Sequence, residues 1–498
     1  MKYRFPLFSL VALVFVLLCS CTKEDDFITD AGAKLSFSID TLRFDTVFTA
    51  QGSATRIIKV YNRNDQAIRI DKISIAGVDG GFFRMNVDGI AGNSVSDVKI
   101  AKEDSLYIFV EVTVDPDQDL SASPFVLQDQ IDFLTNGNEQ RIVLEAWGQN
   151  ANYIPNRFNS GGLSLFSCDF GDWTWDDPKP YVIFGQLYVD SCTLNIPPGT
   201  QVYVHGGIQG NLSEGFFNDG FLVMLPNGKL KIEGTLEEPV VFQGDRLEEE
   251  FDDVSGQWST IFLSKTSKGH EINHAIIKNS RFGIVVDSAA DLKIKNTQIY
   301  NTSSAGIIGS HSSIQAENCL FWGSGANCVL LRFGGNYDFS YCTIASYGVD
   351  ASALGLTNFN CIDPNDPLCI EKEIFTLNAN FKNSIIFGSR RDEIELADGT
   401  FGDLPASFNY NFDKCIVRVD ELDDNAPHTN FFDRCDCINE TASNPMLFVD
   451  PNDGDYHLDT LSIAEGQAIP INGITLDLDR EPRDPMMPDL GCYEYTVD

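Results

Sequence analysis

Arg390-Arg391-Asp392-Glu393 is the one run in the chain that sets two guanidinium groups beside two carboxylates. Chemistry on a polysaccharide needs such a mixture. A lyase uses an Arg or Lys as base, beside a carboxylate-bound calcium that neutralises the uronate; a glycosidase needs two carboxylates about 5–9 Å apart. Asp338 and Asp350, near upstream turns, are further carboxylates that could join the run. A second oxygen-rich stretch contains Asp450, Asp453 and Asp455 in DPNDGDYH. It has the donor density of a calcium loop but lacks the EF-hand spacing and its closing Glu, so a turn is the expected structure. Ca2+ is the one cofactor left open. The acidic run Glu248-Glu249-Glu250-Phe251-Asp252-Asp253 reads as a solvated loop. There is no Gly-rich phosphate loop, no HExxH and no Ser/His/Asp order.

Cysteine chemistry is limited by number and place. Of 13 Cys, Cys19 and Cys21 lie at the end of the N-terminal apolar run and are set aside, so an odd number remains. Cys361 and Cys369 flank an Asp-Pro-Asn-Asp-Pro turn and could close a small loop; Cys168 with Cys192, and Cys415 with Cys435 or Cys437, are further pairings for an oxidising compartment. Cys435-Asp-Cys437 has no second ligand pair at zinc spacing.

These residues hang on a repeating chain. Between Ile272 and Ile344 it falls into near-repeats, AIIKNSRFGIVV, LKIKNTQIYNTSSAGIIG, IQAENCLFWGSGANCVLL and YDFSYCTIASYG. Asn296-Thr297, Asn318-Cys319 and Tyr341-Cys342 recur at intervals of 22 and 23 residues. Short alternating apolar runs at that period predict a stacked β-solenoid, in which one residue type returns to one place every turn. Asn279, Asn296 and Asn318 are then expected at one corner, where an amide can bond the next coil and tolerate a bent backbone. Cys319 and Cys342 are expected as small side chains stacked inside.

The net charge of −37 and 72 acidic against 35 basic residues exclude a phosphate-tracking groove, and with it nucleic-acid binding. Polyanionic glycans would need divalent bridges, which leaves neutral glycans or surface proteins as partners of a monomer. The 36 Phe, 15 Tyr and 40 Gly suit an all-β chain.

Taken in order, residues 1–21 carry Lys2 and Arg4, an apolar run from Leu7 to Leu18, then Cys19-Ser20-Cys21. The run is short for a membrane span and has the shape of a secretory leader. It resembles a bacterial lipoprotein signal, with Cys21 as the acylated residue. Residues 22–33 open on Thr22-Lys23-Glu24-Asp25-Asp26, which resembles the acidic export tag of Bacteroidota-type lipoproteins. The resemblance implies anchoring at the cell outer membrane, facing outward. Residues 34–150 alternate at period two, as in ATRIIKVYN and LYIFVEVTV, and predict an antiparallel sandwich of about seven strands. They resemble the Ig-like domains that precede repeat regions in secreted bacterial proteins. Residues 151–180, with Trp173 and Trp175, are expected to be a linker and N-terminal cap.

From Tyr181 the phrases LNIPPGTQVYV, GKLKIEGT and PVVF resemble the right-handed parallel β-helix of the pectate-lyase-like group. That likeness implies that residues 181–498 form the helix. In the tail, FVDPNDGDYHL is similar to a last coil and DLGCYEY to a closing segment, with Cys492 where the group often has Ala. The group includes lyases, hydrolases, isomerases and proteins without activity. No Asp-Asp pair or Gly-His-Gly phrase stands in a hydrolase context, and no Arg-x-Pro-x-x-Arg is found. The leading expectation is therefore a non-enzymatic glycan- or protein-binding lipoprotein, and the alternative is a polysaccharide lyase or glycoside hydrolase on the same scaffold.

Overall fold

A computed structural model describes residues 26–496 apart from 49–52, 54, 78–80, 114–124, 156–162, 167–170, 212–214, 364–365, 367–368, 425–427, 429 and 443–444. The leader, Cys21, the start of the acidic tag and Cys168 lie outside the described residues. No α-helix occurs among the described residues. The chain divides into two compact units, Met1–Gln149 and Asn150–Asp498.

The first unit is a β-sandwich of two five-stranded sheets. Period-two alternation builds it. In Ser105–Val112, Leu106, Ile108, Val110 and Val112 point inward while Tyr107, Phe109 and Glu111 face solvent. The described residues hold ten strands, more than the seven or so expected, because short edge pieces such as Ser36–Phe37 and Ile90–Ala91 escape a pattern search. Among the described strands one pairing is not antiparallel, that of Thr41–Phe48 with Asn138–Gln149, and the isolated bridge between Phe27 and Ala67 is parallel as well. Seven strands of the unit intervene between the two paired strands, a connection long enough for a parallel crossover.

The second unit is a parallel β-helix, as its repeats imply. Three parallel sheets run its length. One contains Tyr181–Phe184, Gln201–His205, Val240–Gly244 and their successors to Ile385–Gly388. The next passes through Gln186–Val189, Phe221–Met224 and Thr260–Leu263 to Ile394–Ala397. The third passes through Thr193–Ile196 and Lys229–Glu233 to Phe408–Val417 and Cys435–Asn439. Inward Ile, Leu, Val and Phe from all three make one continuous core, each contributing about 1.5–3 kcal/mol.

Turning from the third sheet into the first, coil after coil passes through a left-handed residue: His274, Asn296, Asn318, Tyr341, Asn383 and Lys414, with φ between 48° and 53°. Asn296 donates to Asn273 and Asn318 donates to Asn296. Asn279 does not belong to this corner. It bonds Asn301 at a second left-handed corner, on the far side of the same short strand. Cys319 and Cys342 are free, buried and in register within the core stack.

The coil also starts earlier than Tyr181. Strands Asn152–Ile154, Leu163–Phe166 and Trp173–Thr174 pair in parallel with the coil that follows, so the region expected as linker and cap contains a first coil. Trp175 is 2 % exposed and stacks on Tyr181 at 4.6 Å, and Trp173 stacks on Phe166 at 4.2 Å. These indoles are packing residues.

The tail differs most from expectation. It adds no last coil; Cys435–Asn439 is the final solenoid strand, and Phe431 closes the core against Tyr410 and Phe412. Residues 445–496 instead fold back along the outer face of the first sheet. The cause is visible in the coils. Leu320, Ala345, Ile385, Phe387 and Ile416 point outward, and Leu447, Phe448, Tyr456, Leu458, Leu490 and Tyr493 cover them. Gly491, at φ 89°, sits so close that a Cβ would lie 2.7 Å from Thr343 and Ile385.

Candidate functional site

Arg390–Glu393 forms the turn between Ile385–Gly388 of the first sheet and Ile394–Ala397 of the second. The coils above and below bring it partners from far along the chain. Arg390 Nη1 donates to Asp350 Oδ1 at 2.5 Å. Arg391 Nε donates to Asp420 at 2.8 Å, and its Nη1 reaches Glu421. Asp392 Oδ1 accepts the backbone N–H groups of Asp420, Glu421 and Leu422 at 2.8, 3.1 and 3.2 Å, capping the short turn Leu422–Asp424. All three of these arginine–carboxylate pairs are exposed, and each adds little stability.

Glu393 is different. It is 0 % exposed, its Oε1 accepts the Arg390 N–H at 2.6 Å and its Oε2 the Ala353 N–H at 2.9 Å. Burial pushes its carboxyl up to about 7 against the opposing pull of those bonds and of Arg418 and Arg390. Gly388 makes the room: a Cβ there would lie 1.9 Å from Ser346 O and 2.4 Å from Glu393 Oε1. Arg418, also buried, donates to Gly388 O at 2.7 Å and lies over the Phe387 ring. A carboxyl that titrates near 7 suits general acid catalysis. Sealed from solvent with both oxygens bonded to backbone, this one locks two adjacent turns together.

Asp450, Asp453 and Asp455 do not form a cage. Asp450 Oδ1 accepts the N–H groups of Asn452 and Asp453 in a turn. Asp455 bonds His457 Nδ1 at 2.6 Å, and His457 Nε2 bonds Asp479 at 2.7 Å. Hydrogen bonds to the two carboxylates, Asp479 foremost, raise His457 to about 9, so the charge between them at neutral pH is the imidazolium itself. Its ring stacks on Tyr493 at 4.1 Å. Among the described residues no group of three or more His, Cys, Asp or Glu side chains is placed to hold a metal ion. In the acidic run 248–253, Glu248 pairs with Arg246 and Asp252 with Lys278.

Cys361 and Cys369 are joined in a disulfide beside the hairpin of Phe359–Cys361 with Lys372–Ile374. Cys192 is disulfide-bonded. Cys415, expected to pair with Cys435 or Cys437, is instead a free thiol inside the core, and those two are bonded to each other. Its side chain points inward at the small-residue position that Cys319 and Cys342 occupy in earlier coils, and burial pushes its thiol up to about 12.

The outer face of the third sheet offers what the turn cluster lacks, exposed polar groups in regular order. Its charges cancel locally: Lys231 pairs with Glu233, Lys295 with Glu317, Lys382 with Asp413 and Lys414 with Asp436. In the C-terminal coils asparagines stand beside the paired charges, Asn336, Asn378, Asn380, Asn409 and Asn411, on three paired strands. Sequence reading missed this array. The signal is Asn-Tyr-Asp, Asn-Ala-Asn and Asn-Tyr-Asn at 336–338, 378–380 and 409–411, but insertions stretch the intervals to 42 and 31 residues and hide the 22-residue period.

Fold and surface together define a parallel β-helix protein with an N-terminal β-sandwich. No family model matches the chain, and no curated protein matches it. Among solved structures, the chain is similar to a protein of unknown function from Porphyromonas gingivalis W83, at 15 % identity and TM-score 0.18, over 23 % of this chain and 46 % of that one. It thus spans under half of that protein's length. A PapD-like domain of human CEP192 aligns at 10 % identity and TM-score 0.17, over 24 % of this chain and 88 % of that domain. The catalytic unit of a thermostable GH87 α-1,3-glucanase from Streptomyces thermodiastaticus aligns at 9 % identity and TM-score 0.19, over 72 % of each chain.

Proposed function

We propose that the chain is a non-enzymatic glycan-binding protein, held by lipid on Cys21 at the outer face of a bacterial outer membrane, with its Ig-like sandwich as spacer and its β-helix as the binding rail. One observation carries the non-enzymatic part: all four residues of the turn cluster are spent on holding adjacent coils, Asp392 on three backbone N–H groups and Glu393 out of reach of any substrate. The glycan part is supported by the long, charge-cancelled polar face of the third sheet on a chain of net charge −37. The anchor is supported by Lys2, Arg4, the Leu7–Leu18 run and the position of Cys21.

The test uses the chain without residues 1–21, presented to a panel of polysaccharides, with retention and new reducing or unsaturated ends read together. Retention without product is the expected result. Product from one glycan, abolished by Asp392→Ala or Arg391→Ala, overturns the proposal in favour of a lyase or hydrolase. Cys21→Ala should move the protein out of the membrane fraction.

A further inference from the structure

Three successive coils of the third sheet carry a two-column grid of short polar side chains. One column is Asn336, Asn378 and Asn409, in register on neighbouring strands; the other is Asp338, Asn380 and Asn411. Within the columns five of the six side chains are wired together, Asn411 standing outside the ladder. Asn378 Nδ2 donates to Asn336 Oδ1 at 3.0 Å, Asn409 Nδ2 to Asn378 Oδ1 at 3.1 Å, and Asn380 Nδ2 to Asp338 Oδ1 at 3.1 Å. Asn409 Nδ2 also donates to Ala406 O at 2.9 Å. Asn336, Asp338, Asn380 and Asn411 are exposed.

We infer that this grid is the binding site for an extended, neutral polysaccharide, an inference that rests on the glycan-binding reading above and gives it a location. The hydrogen-bond count supports it. A side-chain amide has two N–H donors and two acceptor lone pairs, and the ladder of Asn378 uses one of each. The second donor and second lone pair are left at the surface side by side, and a sugar hydroxyl, itself donor and acceptor, satisfies both. Spacing supports it as well. Strands of a sheet stand about 4.8 Å apart and alternate residues about 6.6 Å apart along a strand, so the grid offers hydroxyl partners at intervals matched to consecutive sugars of an extended chain. The ladder fixes the amide planes of Asn336, Asn378, Asn409 and Asn380 before a ligand arrives, so at these positions little side-chain entropy remains to be lost on binding.

The chemistry of the surroundings selects among ligands. The grid holds no cation and one carboxylate, Asp338, and the bordering Lys382 is already paired with Asp413; on a chain of net charge −37 this disfavours a uronate or sulfated chain. None of the six side chains is apolar, so the grid lacks the anchors that a protein partner needs.

The experiment is affinity electrophoresis and calorimetry of the chain lacking residues 1–21 with soluble neutral polysaccharides (dextran, galactomannan, xyloglucan and mixed-linkage β-glucan), with pectate as the anionic comparison. Asn380→Ala combined with Asn411→Ala should weaken binding of the retained neutral glycan at least about ten-fold. Its melting temperature should be unchanged, because both positions are exposed strand sites. Glu271→Gln, on the same face in an earlier coil, should bind as the parent does. If the parent binds a neutral glycan and the double variant binds equally well, the grid is only a structural ladder and the inference falls while the glycan-binding reading stands. Binding of pectate alone overturns the inference and leaves the broader reading. Retention of no glycan overturns both.

Discussion

Replacing Arg483 by Met should release the C-terminal segment from the solenoid while the coils stay folded. Arg483 is 6 % exposed at the interface between the two. Its Nη2 donates to Asn318 Oδ1 at 3.1 Å and to Gly491 O at 3.0 Å; its Nη1 donates to Glu494 Oε2 at 3.2 Å and to Asp489 O at 3.4 Å. The guanidinium lies 3.9 Å from the centre of the Tyr341 ring. Methionine keeps much of the apolar contact and removes the charge. Glu494 is then a buried carboxylate without its cation, beside Asp489, and breaking a buried pair in this way costs about 3–5 kcal/mol. At 1.4 kcal/mol per decade, amide exchange in 445–496 should quicken by roughly two to three and a half orders of magnitude. Burial already raises the Glu494 carboxyl above its ordinary range, so protonation at pH 5 should relieve part of the loss. Hydrogen exchange read by mass spectrometry resolves tail peptides from those of the coils at 284–345. Unchanged exchange in the tail, or equal acceleration in tail and coils, would refute an independently docked strap held by Arg483.

Glu393 gives a pH signature. Its folded value of about 7 lies above the ordinary 4.5, so between these the native state holds the extra proton, and stability should fall as pH rises from about 4.5 to about 7, by roughly 3 kcal/mol in all. Denaturant midpoints of the parent should show that decline against Glu393→Gln, and an identical slope in both would show that the carboxyl does not cause it. His457 acts in the same direction at higher pH: raised to about 9, its bridge to Asp455 and Asp479 is fully present below about pH 6.5 and lost as pH passes 9. With the side chain 49 % exposed, the effect should be under about 1 kcal/mol, visible as faster proteolysis of the tail at pH 9.5 than at pH 6 and abolished in His457→Gln. Trp175→Ala should cost about 3–5 kcal/mol and fray the coil of residues 152–174 first, measurable as early loss of its exchange protection; loss of fewer than about 2 kcal/mol would place the indole outside the core.

The period of the coils was legible because it is written locally: Asn296 and Asn318 mark a left-handed corner that recurs at constant spacing. Asn279 reads as part of the same corner because sequence spacing does not separate two bends flanking one four-residue strand. The phrase FVDPNDGDYHL alternates like a coil strand, and it does form the short antiparallel pair Phe448–Asp450 with Asp455–Leu458. What redirects it is the outward apolar row Leu320, Ile385 and Phe387, recognisable only once inward and outward positions are assigned. The charged turn 390–393 stands out by composition, and of the two upstream carboxylates expected near it Asp350 does join Arg390 while Asp338 lies in the third sheet, bonded by Asn380; Asp420, 29 residues on, carries no such signal. Pairings of that kind are set by which coils stack, and insertions between coils erase them from the linear pattern.

The outward apolar row has a consequence for how this chain can be shortened. A solenoid is ordinarily trimmed by whole coils, each cut exposing the same end face. Here the last fifty or so residues are no coil and seal no end; they are a roof over a flank. A chain stopped before Met446 would keep every rung and still present Leu320, Ala345, Ile385, Phe387 and Ile416 as a bare hydrophobic strip along one side. Such a strip invites self-association, so the truncated protein would be lost to aggregates while its coils remained native. Boundaries for expression, and comparisons between chains with different endings, therefore have to treat the roof and the flank beneath it as one inseparable piece.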